Sequence, residues 1–322
     1  MNRYLLGRVG QALLVLWGAY TITYFILYLL PGDTLSIMLS ASGLEVDALS
    51  PADLAKARAY YGLDRGLFEQ YGHLLWQALH GDFGQSLSLN RPMTALLAER
   101  LPQTLTLAGT AIVLSLIGGI GLAYLTAYVR WQPLQSAMAR LPSLGFSVPV
   151  FWLGLLLIQV FAFGLGWFPA TGSQGLDSLV LPAITLAIPS AAVYAQVLQR
   201  GFQHVWREPY ITTAYAKGLS RAQVQYRHGL KNAALPILTL FGLQVGNTVS
   251  GAVLVETIFS RNGVGRLAQE AVLRQDIPVV LAIVAISAAA FVVVNLLVDL
   301  LYPVFDPRIA HAPHPPHAPT AA

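Results

Sequence analysis

The sequence has 322 residues, of which 55% are hydrophobic and 11% are charged, whereas soluble domains average about 45–50% and about 25%. The net charge is +4 and there is no Cys, which excludes disulfides and thiolate chemistry. Nucleic-acid binding is disfavoured, because no basic stripe with interleaved aromatic residues lies outside the loops. Uncharged runs of about 20 residues or more instead indicate a protein that crosses a membrane several times.

Six uncharged runs are each long enough to cross about 30 Å of hydrocarbon as a helix. The first follows Arg3 and Arg8, so a cleaved signal peptide is the alternative to a membrane span. That run is longer than the usual apolar core of about 7–15 residues, and no A-x-A site follows it directly, so we predict an uncleaved span. The predicted spans are 9–30, 104–129, 141–163, 179–198, 233–255 and 277–298.

A less apolar insertion, 31–101, separates the first span from the other five. The Ser-Pro pair at 50–51 predicts the start of a helix that ends near Gly62. Asp64 predicts the start of another helix, which ends near Gly81. We therefore expect a small helical unit on the extracytoplasmic side.

The positions of the basic residues predict the orientation of the spans. With the N-terminus inside, 11 of the 19 Lys and Arg residues fall on short cytoplasmic segments, which are the segments that the positive-inside rule counts. The others lie in the long insertion or after the fifth span. We therefore expect both termini in the cytoplasm. The 11 residues are Arg3, Arg8, Arg130, Arg140, Arg200, Arg207, Lys217, Arg221, Arg227, Lys231 and Arg308.

The polar stretch 207–236 lies between the fourth and fifth spans. Pro209 suits the first turn of a helix, where its missing N–H is no loss. Gly218 suits the left-handed position that ends a helix. Ser220 and Gln223 have the spacing of a capping box, which opens a second helix. The stretch therefore predicts a helix, a Gly turn and a second helix across the cytoplasmic face.

The amino-acid sequence of this stretch is specific enough to indicate a family. The strings AKGLS and RHGLKNAALPILT resemble the cytoplasmic coupling loop of permease subunits of ABC importers, above all the dipeptide/oligopeptide/nickel branch. Thr212 stands where the loop's name-giving Glu lies in the wider family, a departure that is frequent in the peptide branch. Further strings resemble the same family: PGD, YGLD, GDFGQSL, LGWFPATG, LVLPAITLAIP, VETIFSRNGVGRLAQEAV and FDPRI.

This resemblance implies an all-α protein of the bacterial inner membrane, with the six-helix fold of type I ABC importer permeases. No metal site is expected in the spans, and the three His residues of the Pro-rich tail leave metal binding open there against simple disorder. The expected parts are a first segment and span (1–30), the extracytoplasmic insertion (31–101), a five-helix core (102–305) that contains the coupling loop (201–232), and a cytoplasmic tail (306–322), disordered after residue 309.

The resemblance also implies partners: a homologous second permease, two ATP-binding cassette subunits and an extracytoplasmic substrate-binding protein. The sequence has no G-x-x-x-x-G-K-[ST] motif, so ATP and Mg²⁺ are expected on the ATPase subunits, and this chain is expected to be neither an enzyme nor a cofactor carrier. Tyr210, Ala214 and Lys217 have the spacing of one helical face. The residues expected to contact the ATPase are Pro209, Tyr210, Ala214, Lys217, Gly218 and Leu219.

The fifth span carries polar residues on one helical face. Gln244, Asn247 and Gly251 lie at i, i+3 and i+7, and Glu256 lies near the outer end. Polar groups that face hydrocarbon are costly, so this face is expected to look into protein or into a water-filled path. Lining of the translocation path and hydrogen bonding between helices are equally open at this point.

Three classes of function remain for such a chain. The first is a permease subunit of an ATP-driven importer, with di- or oligopeptides as the expected cargo and nickel, a metal chelate or glutathione as alternatives. The second is a stand-alone secondary transporter, for which we expect intramembrane carboxylates or broken, ion-coordinating helices in two repeated halves, whereas the predicted spans show no such repeat and no charged residue. The third is a non-transporting scaffold, which explains neither the polar fifth span nor the coupling-loop spelling.

Overall fold

The computed structural model describes residues 2–29, 50 and 66–305, and all regular structure in them is helical apart from one isolated bridge between Gln85 and Pro92. Two π-helical segments, Ile158–Gly164 and Gln225–Leu230, extend the helices Val150–Leu157 and Arg221–Val224. The predicted helix at 50–62 and the tail 306–322 lie outside the described residues. The helices are α1 Asn2–Leu29, α2 Leu67–Leu79, α3 Met93–Tyr128, α4 Gln132–Ser147, α5 Val150–Leu157, α6 Asp177–Val205, α7 Pro209–Ala216, α8 Arg221–Val224, α9 Lys231–Ala233, α10 Leu235–Ile258, α11 Val264–Leu273 and α12 Ile277–Phe305.

Four helices of the described chain are long and apolar enough to cross a membrane. They lie at the first, second, fourth and sixth predicted spans, and their bounds are Gly7–Leu29, Met93–Tyr128, Asp177–Val205 and Ile277–Leu297. The 24 residues of α10 lie at the fifth predicted span. This helix is also long enough to cross the hydrocarbon core.

The third predicted span, 141–163, is not one continuous helix but is bent. α4 and the helix formed by α5 with its π-helical extension meet at an angle of 105°. The break lies at Val148 and Pro149, whose ψ angles of 120° and 138° are those of extended chain. Proline disfavours the helical conformation in the residue before it and supplies no N–H to the preceding turn. The two helices together form a broken span or a re-entrant pair.

α3 and α6 form the most extensive helix pair of the bundle. At Gly119 of α3, an added Cβ would lie 2.6 Å from the carbonyl oxygen of Ala191 and 2.7 Å from the Cβ of Tyr194. Small residues allow two helix backbones to approach this closely in a membrane. Because α3 and α6 pack so closely, their ends at Tyr128 and Val205 form a common platform, that is, one surface on which the segment after α6 packs.

The segment α7–α9 packs onto that platform. Ile211 and Ala214 of α7, with Val224 of α8 and Ala233 of α9, join one buried apolar cluster with residues of α3, α6 and α10. Full burial of a side chain as large as Ile contributes about 1.5–3 kcal/mol. The loop between the fourth and fifth spans is therefore held by a core of its own. The cluster is Ala123, Tyr194, Leu198, Phe202, Val205, Ile211, Ala214, Val224, Ala233 and Ile237.

At the opposite end of the bundle, α2 is fixed to α1. The hydroxyl of Tyr24 donates to the carbonyl oxygen of Leu67 at 2.9 Å and to the Oε1 of Gln70 at 3.1 Å. α2 ends at Leu79, and Gly81 follows with a φ of 80°, close to the predicted helix end. The next long helix, α3, runs across the boundary that we predicted between residues 101 and 102.

Candidate functional site

The segment 207–236 has the predicted local structure. Pro209 is the first residue of α7, and Gly218 follows the helix with a φ of 79°. The backbone N–H of Ser220 donates to the Oε1 of Gln223 at 2.9 Å, and the N–H of Gln223 donates to the Oγ of Ser220 at 3.4 Å. The predicted helix, Gly turn and capping box are confirmed.

α7 has one buried face and one exposed face. Ile211 and Ala214 are 3% and 5% exposed, because the apolar stripe that faces α6 is centred between them. The structure therefore does not bring Ala214 to the exposed face with Tyr210 and Lys217. Leu219 is half-buried. The exposed residues of α7 and of the turn that follows it are Pro209, Tyr210, Thr212, Thr213, Tyr215, Ala216, Lys217 and Gly218.

Arg221, at the start of α8, connects this segment to the end of α3. Its Nη2 donates to the carbonyl oxygen of Ala127 at 2.9 Å. The guanidinium carbon lies 5.9 Å from the ring centroid of Tyr128 and 6.0 Å from that of Trp206, within the range of cation–π attraction. The segment is therefore joined to α3 by polar contacts as well as by packing.

The predicted polar face of α10 divides into three environments. The Nδ2 of Asn247 donates to the Oε1 of Gln244 at 2.9 Å; Asn247 is exposed, and Gln244 is 6% exposed. Gly251 faces α6, where an added Cβ would lie 2.9 Å from the Cδ1 of Leu186. Glu256 is fully buried. Asn247 is thus the one residue of the four that is open to a space outside this chain.

Comparison with known proteins identifies the chain. The family model of binding-protein-dependent transport system inner membrane components matches residues 119–311. A protein of Brucella abortus strain 2308, named as a peptide transport system permease, is 35% identical over 319 residues, which are 97% of this chain and all of that protein. The chain belongs to this family. The glutathione transport system permease GsiC of Escherichia coli K12 is 34% identical over 311 residues, 97% of this chain and all of that protein.

Solved structures of ABC importers share the fold of this permease. An amino acid ABC transporter solved with histidines is 20% identical and covers 66% of this chain and 94% of its own, with a TM-score of 0.53. The MetNI methionine transporter in an inward-facing conformation is 15% identical, with a TM-score of 0.53 and coverage of 66% and 97%. The all-α, type I importer fold is therefore confirmed, and this chain is a permease subunit of an ABC importer.

In this permease, a polar junction lies at the end of the bundle opposite the segment 207–236. Glu256 of α10 accepts hydrogen bonds from the Oγ1 of Thr104 at 2.6 Å and from the N–H of Arg266 at 3.1 Å. Arg261 is 2% exposed and donates to the carbonyl oxygen of Ser178 at 2.9 Å. Burial lowers the pKa of the Arg261 guanidinium, and the nearby Glu256 opposes that shift. The junction ties α3, α6 and α10 together.

Asp276 forms a second buried contact that we did not predict. Its Oδ2 accepts hydrogen bonds from the Oγ of Ser86 at 2.7 Å, and from the N–H and Oγ of Ser88 at 2.9 Å each. The sequence signal was an Asp immediately before the Ile-Pro that opens the last span. In the described ranges, no group of three or more His, Asp or Glu side chains is placed to hold a metal ion.

Proposed function

We propose that this permease imports di- or oligopeptides across the bacterial inner membrane, with both of its termini in the cytoplasm. Its partners in this proposal are a homologous second permease, two ATP-binding cassette subunits and an extracytoplasmic binding protein. One observation carries the proposal: the segment 207–236 is anchored to the bundle and exposes a polar helix face. The peptide transport name of the Brucella relative supports the cargo.

The exposed side of the segment 207–236 is the proposed contact with the ATPase. Tyr210 and Lys217 lie on that side and provide an aromatic ring and a charge, with Pro209, Gly218 and Leu219 shaping the helix ends. Ala214 contributes indirectly, because it is buried on the opposite face of α7 and packs that helix against the bundle. ATP binding would close the ATPase pair and draw the two coupling helices of the complex together, which turns the cavity between the permeases outward.

The translocation path would run along α10. Asn247 offers an amide to the space beside this chain, and Gln244 holds that amide in place through the hydrogen bond between them. Gly251 would permit the close approach of α6 that shapes the wall. Glu256 would close the far end of the path as part of the polar junction rather than contact cargo along its length.

Glutathione is the second candidate cargo, because the GsiC permease of Escherichia coli, named for glutathione transport, is similar over the same share of the chain. Glutathione is itself a small peptide, so one path could accept both kinds of molecule. Nickel and metal chelates remain alternatives from the same branch. The binding protein is expected to select among them before the cargo reaches this subunit.

The test is uptake by proteoliposomes that contain the full complex, with ATP inside and the binding protein outside. Labelled oligopeptide, glutathione and nickel are offered in parallel. We expect peptide to accumulate only when ATP and the binding protein are both present. Accumulation of glutathione or nickel instead of peptide would show that this molecule is the cargo. Peptide uptake by this chain without ATPase subunits would show a secondary transporter and overturn the proposal.

A further inference from the structure

The last turn of α3 is completed by side chains from other parts of the chain. A helix leaves its last four carbonyl groups without partners inside the helix. The carbonyl oxygen of Thr126 accepts from the Nε2 of Gln135 at 3.3 Å, and that of Ala127 accepts from the Nη2 of Arg221 at 2.9 Å. Arg221 thus caps α3 from a position 94 residues away in the sequence.

A second side chain makes a parallel contact one turn away. The Nε2 of Gln225, which is fully buried, donates to the carbonyl oxygen of Tyr124 at 2.6 Å. Tyr124 and Ala127 are three residues apart, and Arg221 and Gln225 are four apart, so each pair lies on one helical face. Two adjacent turns of the segment after α7 therefore hold two carbonyl groups of α3 that lie one turn apart.

Arg221 also connects α3 to α7 itself. Its guanidinium lies against the ring of Trp206, and that ring stacks on Tyr215 of α7 with centroids 6.4 Å apart and an interplanar angle of 15°. A cavity of about 220 Å³ lies beside these groups, so close packing does not fill the space between α7 and α3 here. Here α7 is connected to α3 through the side-chain contacts of Tyr215, Trp206 and Arg221.

The charge of Arg221 suits this place for a physical reason. The C-terminal end of a helix carries a partial negative charge, and a cation there is stabilising. Hydrogen bonds with a charged donor are stronger than those between neutral groups. If α7 is displaced, either α3 moves with it, or α3 loses its cap and exposes an unpaired carbonyl group.

We propose that Arg221 is a positioning residue that passes the displacement of α7 to α3, so that both move as one body during transport. This inference rests on the proposed function, in which partner ATPases displace α7. Loss of the charged hydrogen bond shifts the equilibrium between the joined and separated arrangements by about tenfold. The ATPase cycle of a variant without the bond is expected to continue while less of each movement reaches the membrane helices.

The connection is tested directly by a distance measurement. The chain has no Cys, so spin labels attach only at introduced cysteines, here at Ala216 of α7 and at Leu125 of α3, both exposed. The wild-type background is expected to give one narrow distance distribution, unchanged between the nucleotide-free and ATP-bound complexes. Arg221→Gln is expected to broaden it, and Arg221→Lys, which keeps the charge, to restore most of the narrow component. A wild-type distance that changes on ATP binding, or an Arg221→Gln distribution as narrow as wild type, would overturn the inference.

The functional readout is the amount of peptide transported per ATP hydrolysed. Arg221→Gln is expected to lower this ratio, by up to about tenfold, at unchanged assembly. Arg130→Gln is the matched control, because it removes the same charge from an exposed position just beyond α3 and is expected to leave the ratio unchanged. Equal ratios in both variants would overturn the inference. Failure of the wild-type chain to bind ATPases would instead contradict the proposed function. In that case, the width of the spin-label distance distribution in the isolated permease would still show whether Arg221 connects α7 to α3.

Discussion

Gly218 occupies a backbone conformation that few other residues adopt at low cost. Its φ of 79° lies in the left-handed region, where a side chain with Cβ is strained, and a β-branched one most of all. Space is not the constraint, because an added Cβ would meet no atom within 4 Å. The requirement for Gly therefore comes from the main chain, which must turn here to lead from α7 to the capping box at Ser220.

Replacement of Gly218 by Val is expected to uncouple the complex. The strain of about 1–2 kcal/mol would move the turn and, with it, the end of α7 that carries Lys217. Peptide-stimulated ATP hydrolysis should be lost, while membrane insertion, followed by fractionation, should be unchanged. Gly218→Asn is the control, since Asn tolerates the left-handed region best among residues with a side chain. Unchanged stimulation in the Val variant would count against this role of the turn.

Substitutions of Asn247 and Gln244 test whether the polar face of α10 lines the translocation path or packs against other helices. The hydrogen bond between them lies within one helix, so Asn247→Leu breaks no described contact between helices. We expect Asn247→Leu to impair peptide transport and to leave thermal stability within about 1 kcal/mol of wild type. Gln244→Leu, at a buried position, is expected to impair transport as well. Normal transport with a clearly lowered melting temperature in both variants would assign these amides to helix packing.

At the scale of the elements, the sequence predicted what is determined locally. The start of α7, its Gly turn and the capping box each depend on residues within four positions of one another, so spacing alone revealed them. The break between α4 and α5 was signalled by Pro149, but it was hidden within a long apolar run. The contact of Arg221 with Ala127 spans 94 residues, and the burial of Ala214 depends on α6. Neither can be read from spacing in one sequence.

The polar junction around Glu256, which also includes α11 through the N–H groups of Val264 and Arg266, is expected to carry much of the stability of its end of the bundle. Thr104 bridges Glu256 and the N–H of Val264, at 2.6 Å and 2.8 Å. Glu256→Ala would leave the hydroxyl of Thr104 and the N–H of Arg266 without their acceptor, and Arg261 without the neighbouring charge, at a cost of about 3–5 kcal/mol. Glu99→Ala, which removes a half-exposed partner of Arg91, is expected to cost less than about 1 kcal/mol. Thermal unfolding of the purified complex measures both, and equal effects would contradict the structural role of Glu256.

At the scale of the whole molecule, the two ends of the bundle differ in what they expose. One end carries the segment 207–236, and the other carries the polar junction and the loop before α6. The positive-inside rule predicts that the first end lies in the cytoplasm. This orientation is required for the segment 207–236 to meet an ATPase.

Cysteine labelling is expected to report this orientation. A cysteine at Leu176, which is 84% exposed, should react with a membrane-impermeant reagent that is added outside intact spheroplasts. A cysteine at Ala222, exposed on α8, should react only after the membrane is opened. The chain has no other Cys, so the label has no background site. The reverse pattern would contradict the topology.

Site-specific photo-cross-linking shows directly whether the segment 207–236 contacts an ATPase. A photoreactive residue is placed at Lys217 in the assembled complex, with a second variant at Leu176 as the control at the opposite end. The adduct from Lys217, identified by mass spectrometry, is expected to contain the ATP-binding cassette subunit, whereas the adduct from Leu176 is not. An intact complex in which Lys217 captures no ATPase, or in which Leu176 captures it, would contradict the proposed contact.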